Sequence, residues 1–106
     1  MISRLWSARA TQAQSQAYVQ HFSTAVLPAL RKCEGYVSST VLTRPKEGAI
    51  EIMVLTVWQS FAAIDGFAGA DRDAEVVAPE AAALLTDFDR RVRHFEVAVT
   101  DGIAQA

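Results

Sequence analysis

Residues 49 to 58 present apolar side chains on both sides of an extended strand. Ile50, Ile52, Val54, Thr56 and Trp58 fall on one face and Met53, Leu55 and Val57 on the other, with only Glu51 interrupting. A strand of this kind has to be covered on both faces. The rest of the chain therefore has to supply one cover, and something else the second.

The first cover is legible as helix. Residues 2 to 9 are rich in β-formers, lack Gly and Pro, and predict a first strand. From the N-capping Thr11 the period becomes helical over about residues 12 to 33, with Ala13, Ala17, Tyr18, Phe22, Ala25, Val26, Ala29, Leu30 and Cys33 on one broad face. Pro28 cannot donate to the carbonyl four residues earlier, so a bend is expected near Thr24 to Pro28. Glu34-Gly35 stops the helix, because glycine adopts the left-handed conformation of many C-terminal caps. Tyr36 to Arg44 is a second strand, joined through the turn Pro45-Lys46-Glu47-Gly48 to the strand 49–58 as a hairpin.

Ser60 caps a second helix bearing Phe61, Ile64, Phe67 and Ala68, which ends around Gly69. Asp71-Arg72-Asp73 breaks the pattern. A further helical stretch is expected beyond it, with Pro79 in a first turn and Ala82, Leu85 and Phe88 on one face. Arg91 to Val99 alternates as a last strand, Phe95, Val97 and Val99 opposed to His94, Glu96 and Ala98, before Asp101-Gly102.

The order β-α-β-β-α-β predicts an α+β, ferredoxin-like plan: right-handed crossovers place both helices on one face of a four-stranded antiparallel sheet. The other face stays open. A second copy meeting it through the same patch gives a homodimer with one self-complementary interface.

Size and composition narrow the function. At 106 residues the chain reads as one domain over 1–106, with a hydrophobic fraction of 51% that supports a packed core. A net charge of −2 and a pI near 5.6 give no field for phosphates, which argues against nucleic acid as a partner. Neither a signal-like amino terminus nor a run of roughly 18 apolar residues is present, so no membrane partner and a cytoplasmic location are expected. Cys33 is the single cysteine and reads as apolar filler near a helix end. No Gly-rich dinucleotide motif and no His/Cys metal spacing occur, so no cofactor is expected.

The run Glu51-Ile52-Met53-Val54-Leu55-Thr56-Val57-Trp58-Gln59-Ser60, then Ala63-Ile64, Phe67-Ala68-Gly69, Asp71 and Pro79-Glu80-Ala81, resembles the antibiotic biosynthesis monooxygenase family. Leu27-Pro28-Ala29-Leu30, Gly35-Tyr36-Val37 and the ending Val92-Arg93-His94-Phe95-Glu96-Val97 extend the likeness over most of the chain, and the strand-end tryptophan before a serine-capped helix is its most specific piece. The resemblance implies a dimeric α+β barrel. It also implies, from members with known activity, oxidation of aromatic or quinol-type compounds by molecular oxygen without metal or flavin, and in a subgroup heme degradation. This chain has no asparagine and no histidine on the helix after Trp58, which disfavours heme breakdown.

Two functions follow as alternatives. The first is a cofactor-independent monooxygenase for a small aromatic or quinol-like compound, with Trp58 packing the ring and His94 as general base. The second is a non-catalytic dimeric module that binds a small apolar ligand or simply assembles. An imidazole can take a phenolic proton near neutral pH, while a strand histidine hydrogen-bonded near the surface is the structural alternative for His94. Trp58 and Trp6 present flat faces with one donor each, or else close the core. Glu96 shares the sheet face of His94, where it orients the imidazole, acts as the base itself or is simply a solvated edge carboxylate, and Tyr36 and Phe67 either line a pocket or fill it. Glu51 points to solvent or pairs with an arginine, His21 lies beside the polar face of the first helix, and Arg90, Arg91 and Arg93 read as a solvated basic cluster. An enzyme should show a closed pocket of roughly 300 Å³ or more between helices and sheet with a titratable group in it. A pocket filled by Trp58, Phe67 and Tyr36 favours the module.

Overall fold

A computed structural model describes residues 1–102. Strand β1 (Ile2–Ala10) leads into α1 (Gln12–His21), a π-helical turn over Phe22–Val26 and the short α2 (Leu27–Arg31). Then come β2 (Tyr36–Lys46), β3 (Ala49–Trp58), α3 (Phe61–Ala68), α4 (Pro79–Ala82), β4 (Asp87–Phe88) and β5 (Arg93–Glu96). The sheet is antiparallel and runs β2-β3-β1-β4, with β5 also pairing β1. This is the α+β, ferredoxin-like arrangement the sequence predicts.

Two elements differ from expectation. The outer lane beside β1 is split: Asp87 and Phe88 pair with Arg9 and Ala8 at one end, and Arg93 to Glu96 pair with Leu5 to Ile2 at the other. Phe88 is thus a strand residue rather than part of a helical face, and helix α4 is only one turn long. The strand expected over Arg91 to Val99 shortens to Arg93–Glu96, with Val99 exposed. Once the chain has crossed from Leu85 to Thr86, the Thr86 amide donates to the Arg9 carbonyl at 2.7 Å, and pairing with β1 replaces helical bonds.

Alternation along β1 and β3 decides the two sheet faces. Ile2, Arg4, Trp6, Ala8 and Ala10, with Ile52, Val54, Thr56 and Trp58, are buried beneath the helices. Leu5, Met53, Leu55 and Val57 lie half-buried on the opposite face with exposed Leu42 and Phe95. Register pairs Arg4 with both Thr56 and His94, so His94 sits on the helix-covered face and Phe95 on the open one.

The first helix buries a narrower stripe than its alanines suggest. Ser15, Tyr18, Phe22 and Leu30 are buried, whereas Ala13, Ala17, Ala25 and Ala29 face solvent. Thr11 caps it by accepting from the Gln14 amide. The irregularity expected before Pro28 takes the form of the π-turn, in which the Leu27 amide reaches back five residues to the Phe22 carbonyl. The wider turn relieves the clash a proline ring makes with the preceding turn. Ser60 caps α3 by accepting from the Ala63 amide, and Gly69, at φ 86°, ends it. Strand β2 continues through Pro45 and Lys46, and the hairpin turn is the two-residue Glu47-Gly48, both at positive φ.

Candidate functional site

Between the helices and the sheet lies a partly open cavity of about 80 Å³. Trp6 and Val54 form its floor, Phe22 and Leu30 one wall, Phe67 another, and the irregular segment Val76 to Ala78 a third. Four polar side chains also line it, Arg4, Tyr18, His21 and Thr56. Apolar walls with a few convergent polar groups are the usual make-up of a small-molecule site. The volume falls below the roughly 300 Å³ expected of an enzyme pocket.

Arg4 is only 5% exposed, on the buried face of β1. Its Nη1 donates to the Arg72 carbonyl at 2.6 Å and to His94 Nε2 at 3.0 Å, and its Nη2 donates to the Ala74 carbonyl at 2.7 Å. Since a guanidinium cannot accept, Nε2 of His94 must be the acceptor, which puts the imidazole proton on Nδ1. That proton points at Asp73 Oδ1, 3.2 Å away. Burial pushes the His94 pKa down, the neighbouring Arg4 charge adds to this, and Asp73 opposes it. His94 is accordingly a neutral bridge between a buried cation and a half-exposed carboxylate.

The loop supplying these carbonyls is pinned on both sides. Arg72 forms a two-pronged pair with Asp65, 2.8 Å on each arm, and lies over the Phe61 ring at 4.3 Å. Arg91 pairs with Asp71 at 2.6 Å, and the Val92 amide donates to the Asp73 carbonyl. These contacts keep Asp65 and Asp71 ionised to lower pH than usual, through their arginine partners.

Of the residues expected to form a site, Trp6 and Phe67 line the cavity. Trp6 donates to the Asp89 carbonyl at 2.9 Å and stacks at a tilt against Tyr18 and Phe88. Trp58 does not line it: fully buried, it donates to Thr56 Oγ1 and lies between Tyr36 and Phe67, with ring centroids 5.5 and 5.1 Å away. Tyr36 is outside the lining as well, its hydroxyl bonded to Ser39. His94 borders a separate shallow cleft with Phe61, Arg72 and Asp73, and Glu96 is exposed beyond the cavity. Glu51 pairs with its cross-strand neighbour Arg44 at 2.6 Å. Among the described residues no group of three or more His, Cys, Asp or Glu side chains is placed to hold a metal.

Arg4, Tyr18 and His21 escaped the sequence reading as site residues. Arg4 carried a signal: it interrupts the series Ile2, Trp6, Ala8, Ala10 as a charge at an even position of an otherwise apolar face. His21 carried a weaker one, standing three residues after the apolar Tyr18 and so on the neighbouring part of the same helix face.

No protein-family model matches the sequence, and no curated protein matches it. Solved structures do. A Bacillus cereus protein bearing the antibiotic biosynthesis monooxygenase name superposes with a TM-score of 0.68 at 18% identity, over 99% of this chain and 98% of that one. The heme degrader MhuD of Mycobacterium tuberculosis, with two hemes bound in its active site, gives 0.61 at 20% identity, over 96% and 100%. The monooxygenase from the ActVA-Orf6 gene of Streptomyces coelicolor, in complex with nanaomycin D, gives 0.60 at 17% identity, over 99% and 92%. This chain has, over nearly its whole length, the ferredoxin-like fold of the antibiotic biosynthesis monooxygenases.

Proposed function

We propose that the chain is a cofactor-independent monooxygenase that works as a homodimer on a small aromatic or quinol-like compound held in the helix–sheet cavity. The observation that carries this reading is the cavity, with the rings of Trp6, Phe22 and Phe67 and the polar side chains of Arg4, Tyr18, His21 and Thr56 on its walls. The monooxygenase with nanaomycin D among the structures sharing the fold supports it. An electron-rich phenol that loses its proton can pass an electron to oxygen directly. The ring C–H opposite the phenolic oxygen then becomes a quinone carbonyl: one oxygen atom bonds to that carbon, the other leaves as water, and the substrate supplies all the electrons. The protein has to hold the ring, remove a proton and exclude water.

His21 is the wall group able to accept that proton, because the Nε2 of His94 is engaged by Arg4. Admitting a ring enlarges the cavity, and the Val76 to Ala78 wall is the one that yields. Neither Val76 nor Val77 donates a backbone hydrogen bond among the described residues, and segments held so loosely open at least cost. Heme is not the ligand in this reading, given a volume of about 80 Å³ and an α3 without histidine.

The second reading, a non-catalytic dimeric module, is favoured by that same small volume and by the packing of Tyr36, Trp58 and Phe67 on one another. Oxygen uptake with a panel of hydroquinones and phenols separates the two. The monooxygenase reading expects uptake by the native chain and at least about a tenfold loss in Trp6→Ala, which removes a wall that orients the ring. Ring binding without uptake by any panel member supports the module instead.

A further inference from the structure

We propose that Arg4 is an anion site built into the floor of the cavity, so that the ligand is an acidic ring compound bound through its deprotonated oxygen. The inference rests on the cavity being the ligand site but not on the oxidation itself. Two independent observations lead to it.

The first is the cation. Arg4 is nearly fully buried, yet every acceptor within hydrogen-bond distance is neutral: two backbone carbonyls and an imidazole nitrogen. A buried arginine is ordinarily paired directly with a carboxylate, because an isolated charge away from water is costly. Asp73 is the nearest carboxylate, but it faces the far side of the His94 ring, is half-exposed, and also faces Arg91 at 3.8 Å. The Nε–H and one Nη2–H of Arg4 have no acceptor among the described residues, and the side chain lines the cavity. The other ionisable groups around it, Arg72 paired with Asp65 and a neutral His94, offer no carboxylate bonded to the guanidinium, and Asp73 acts on it only from across the imidazole.

The second is a hydroxyl. Tyr18 is 5% exposed and lines the same cavity from α1, and its Oη has no hydrogen-bond partner among the described residues. Buried polar groups are nearly always partnered, so an orphan phenol on a cavity wall marks a place where a ligand oxygen or a water completes the bond. Burial holds the Tyr18 pKa up at about 12, which keeps it a proton donor across the working range. Trp6, Phe67 and Val54 line the same cavity with apolar and aromatic surface, and the Arg4 guanidinium lies over the Phe67 ring at 5.6 Å. Such a site prefers an oxyanion carried on an apolar ring, and a phenolate or a carboxylate supplies the same contact.

The test is binding under anaerobic conditions, so that turnover plays no part. 4-Nitrophenol reports its own ionisation by colour, and nitrobenzene is its near-isostere without the acidic group. The native chain should bind nitrophenolate at least about tenfold more tightly than nitrobenzene, and the bound nitrophenol should ionise at least about one pH unit below the free compound. Benzoate in a competition arm distinguishes a carboxylate preference from a phenolate one, either being an oxyanion. Arg4→Lys should keep part of the preference and Arg4→Gln abolish it, with circular dichroism checking that each is folded. Equal affinity for the two probes, an unshifted or raised ionisation of the bound probe, or no binding of either at millimolar concentration overturns the anion site, and the native chain alone gives these readouts should the variants fail to fold. Anion binding without oxygen uptake leaves this inference standing and removes the oxygenase reading; uptake without an anion preference does the reverse.

Discussion

The imidazole of His94 shows how a single residue can be identified by type and missed by role. As the only histidine on a strand it stood out as a base, and its position opposite Arg4 in the register sets a different task. Its Nδ1–H meets Asp73 and its Nε2 meets Arg4, an arrangement that only the neutral ring satisfies on both sides. The folded state therefore holds the His94 pKa below its ordinary value of 6.5. With a depressed folded pKa, the unfolded chain binds the proton first as pH falls. The His94 contribution to stability is fully present above about pH 6.5 and declines as pH drops below it toward the folded pKa. Urea unfolding followed between pH 8 and pH 5 should show the midpoint falling through this window. His94→Gln, which accepts and donates without titrating, should flatten that part of the profile while leaving the loss at lower pH, where Glu51, Asp65 and Asp71 protonate. An unchanged profile in the variant would refute the neutral-bridge assignment.

At the scale of elements, those with strong local signals were legible and those made by tertiary pairing were not. The caps at Thr11 and Ser60, the stop at Gly35 and the irregularity ahead of Pro28 all follow from chemistry within a few residues of each feature. The split outer lane does not. Phe88 continues a plausible helical spacing from Ala82 and Leu85, and what draws it into a strand is the free edge of β1, which no local window contains. The same limit applies to the site, since Arg72 and Ala74 hold Arg4 across 68 and 70 residues of sequence through their backbone carbonyls, which any side chain would leave unchanged. Trp6 and Phe67 could be picked out as aromatics on buried faces. The pocket that joins them to Tyr18 and His21 required the α1 stripe to be known, and alanines had blurred it. Gly35 is where three elements meet: it lies in the turn between α2 and β2 and touches α3. It sits at φ 83°, and a Cβ there would come within 2.4 Å of Ala63 Cβ, while its carbonyl accepts from the Gln59 amide at 2.8 Å. Gly35→Ala adds an unfavourable backbone conformation to a clash that pushes α3 away, so a loss of about 1–3 kcal/mol or more is expected. Denaturant unfolding measures it, and a loss under about 0.5 kcal/mol would mean that α3 can shift without consequence.

The whole molecule leaves one sheet face to be accounted for. Helices cover Ile52, Val54, Thr56 and Trp58, whereas Leu5, Met53, Leu55 and Val57 have no cover from the described residues, and Leu42 and Phe95 beside them are 49% and 50% exposed. The patch is apolar at its centre and carries the ion pairs Arg44–Glu51 and Arg9–Asp87 toward the hairpin end, the graded make-up of an interface with a polar rim. Because one surface supplies both the apolar centre and charges of both signs, a second copy turned by a two-fold axis would complement it, and this is the occupant we propose. Leu55 is the test position. It pairs with Leu5 on one side and Thr40 on the other, so it is central to the face and far from the cavity side. The native chain should sediment at twice its 11.5 kDa mass at micromolar concentration. Leu55→Lys should sediment as a monomer with its circular dichroism retained, since a lysine there burdens only the interface. A native chain that is monomeric under these conditions would leave the second face of β3 wet, against the constraint its residues impose, and would remove the homodimer from the proposed function without touching the Arg4 site on the other side of the sheet.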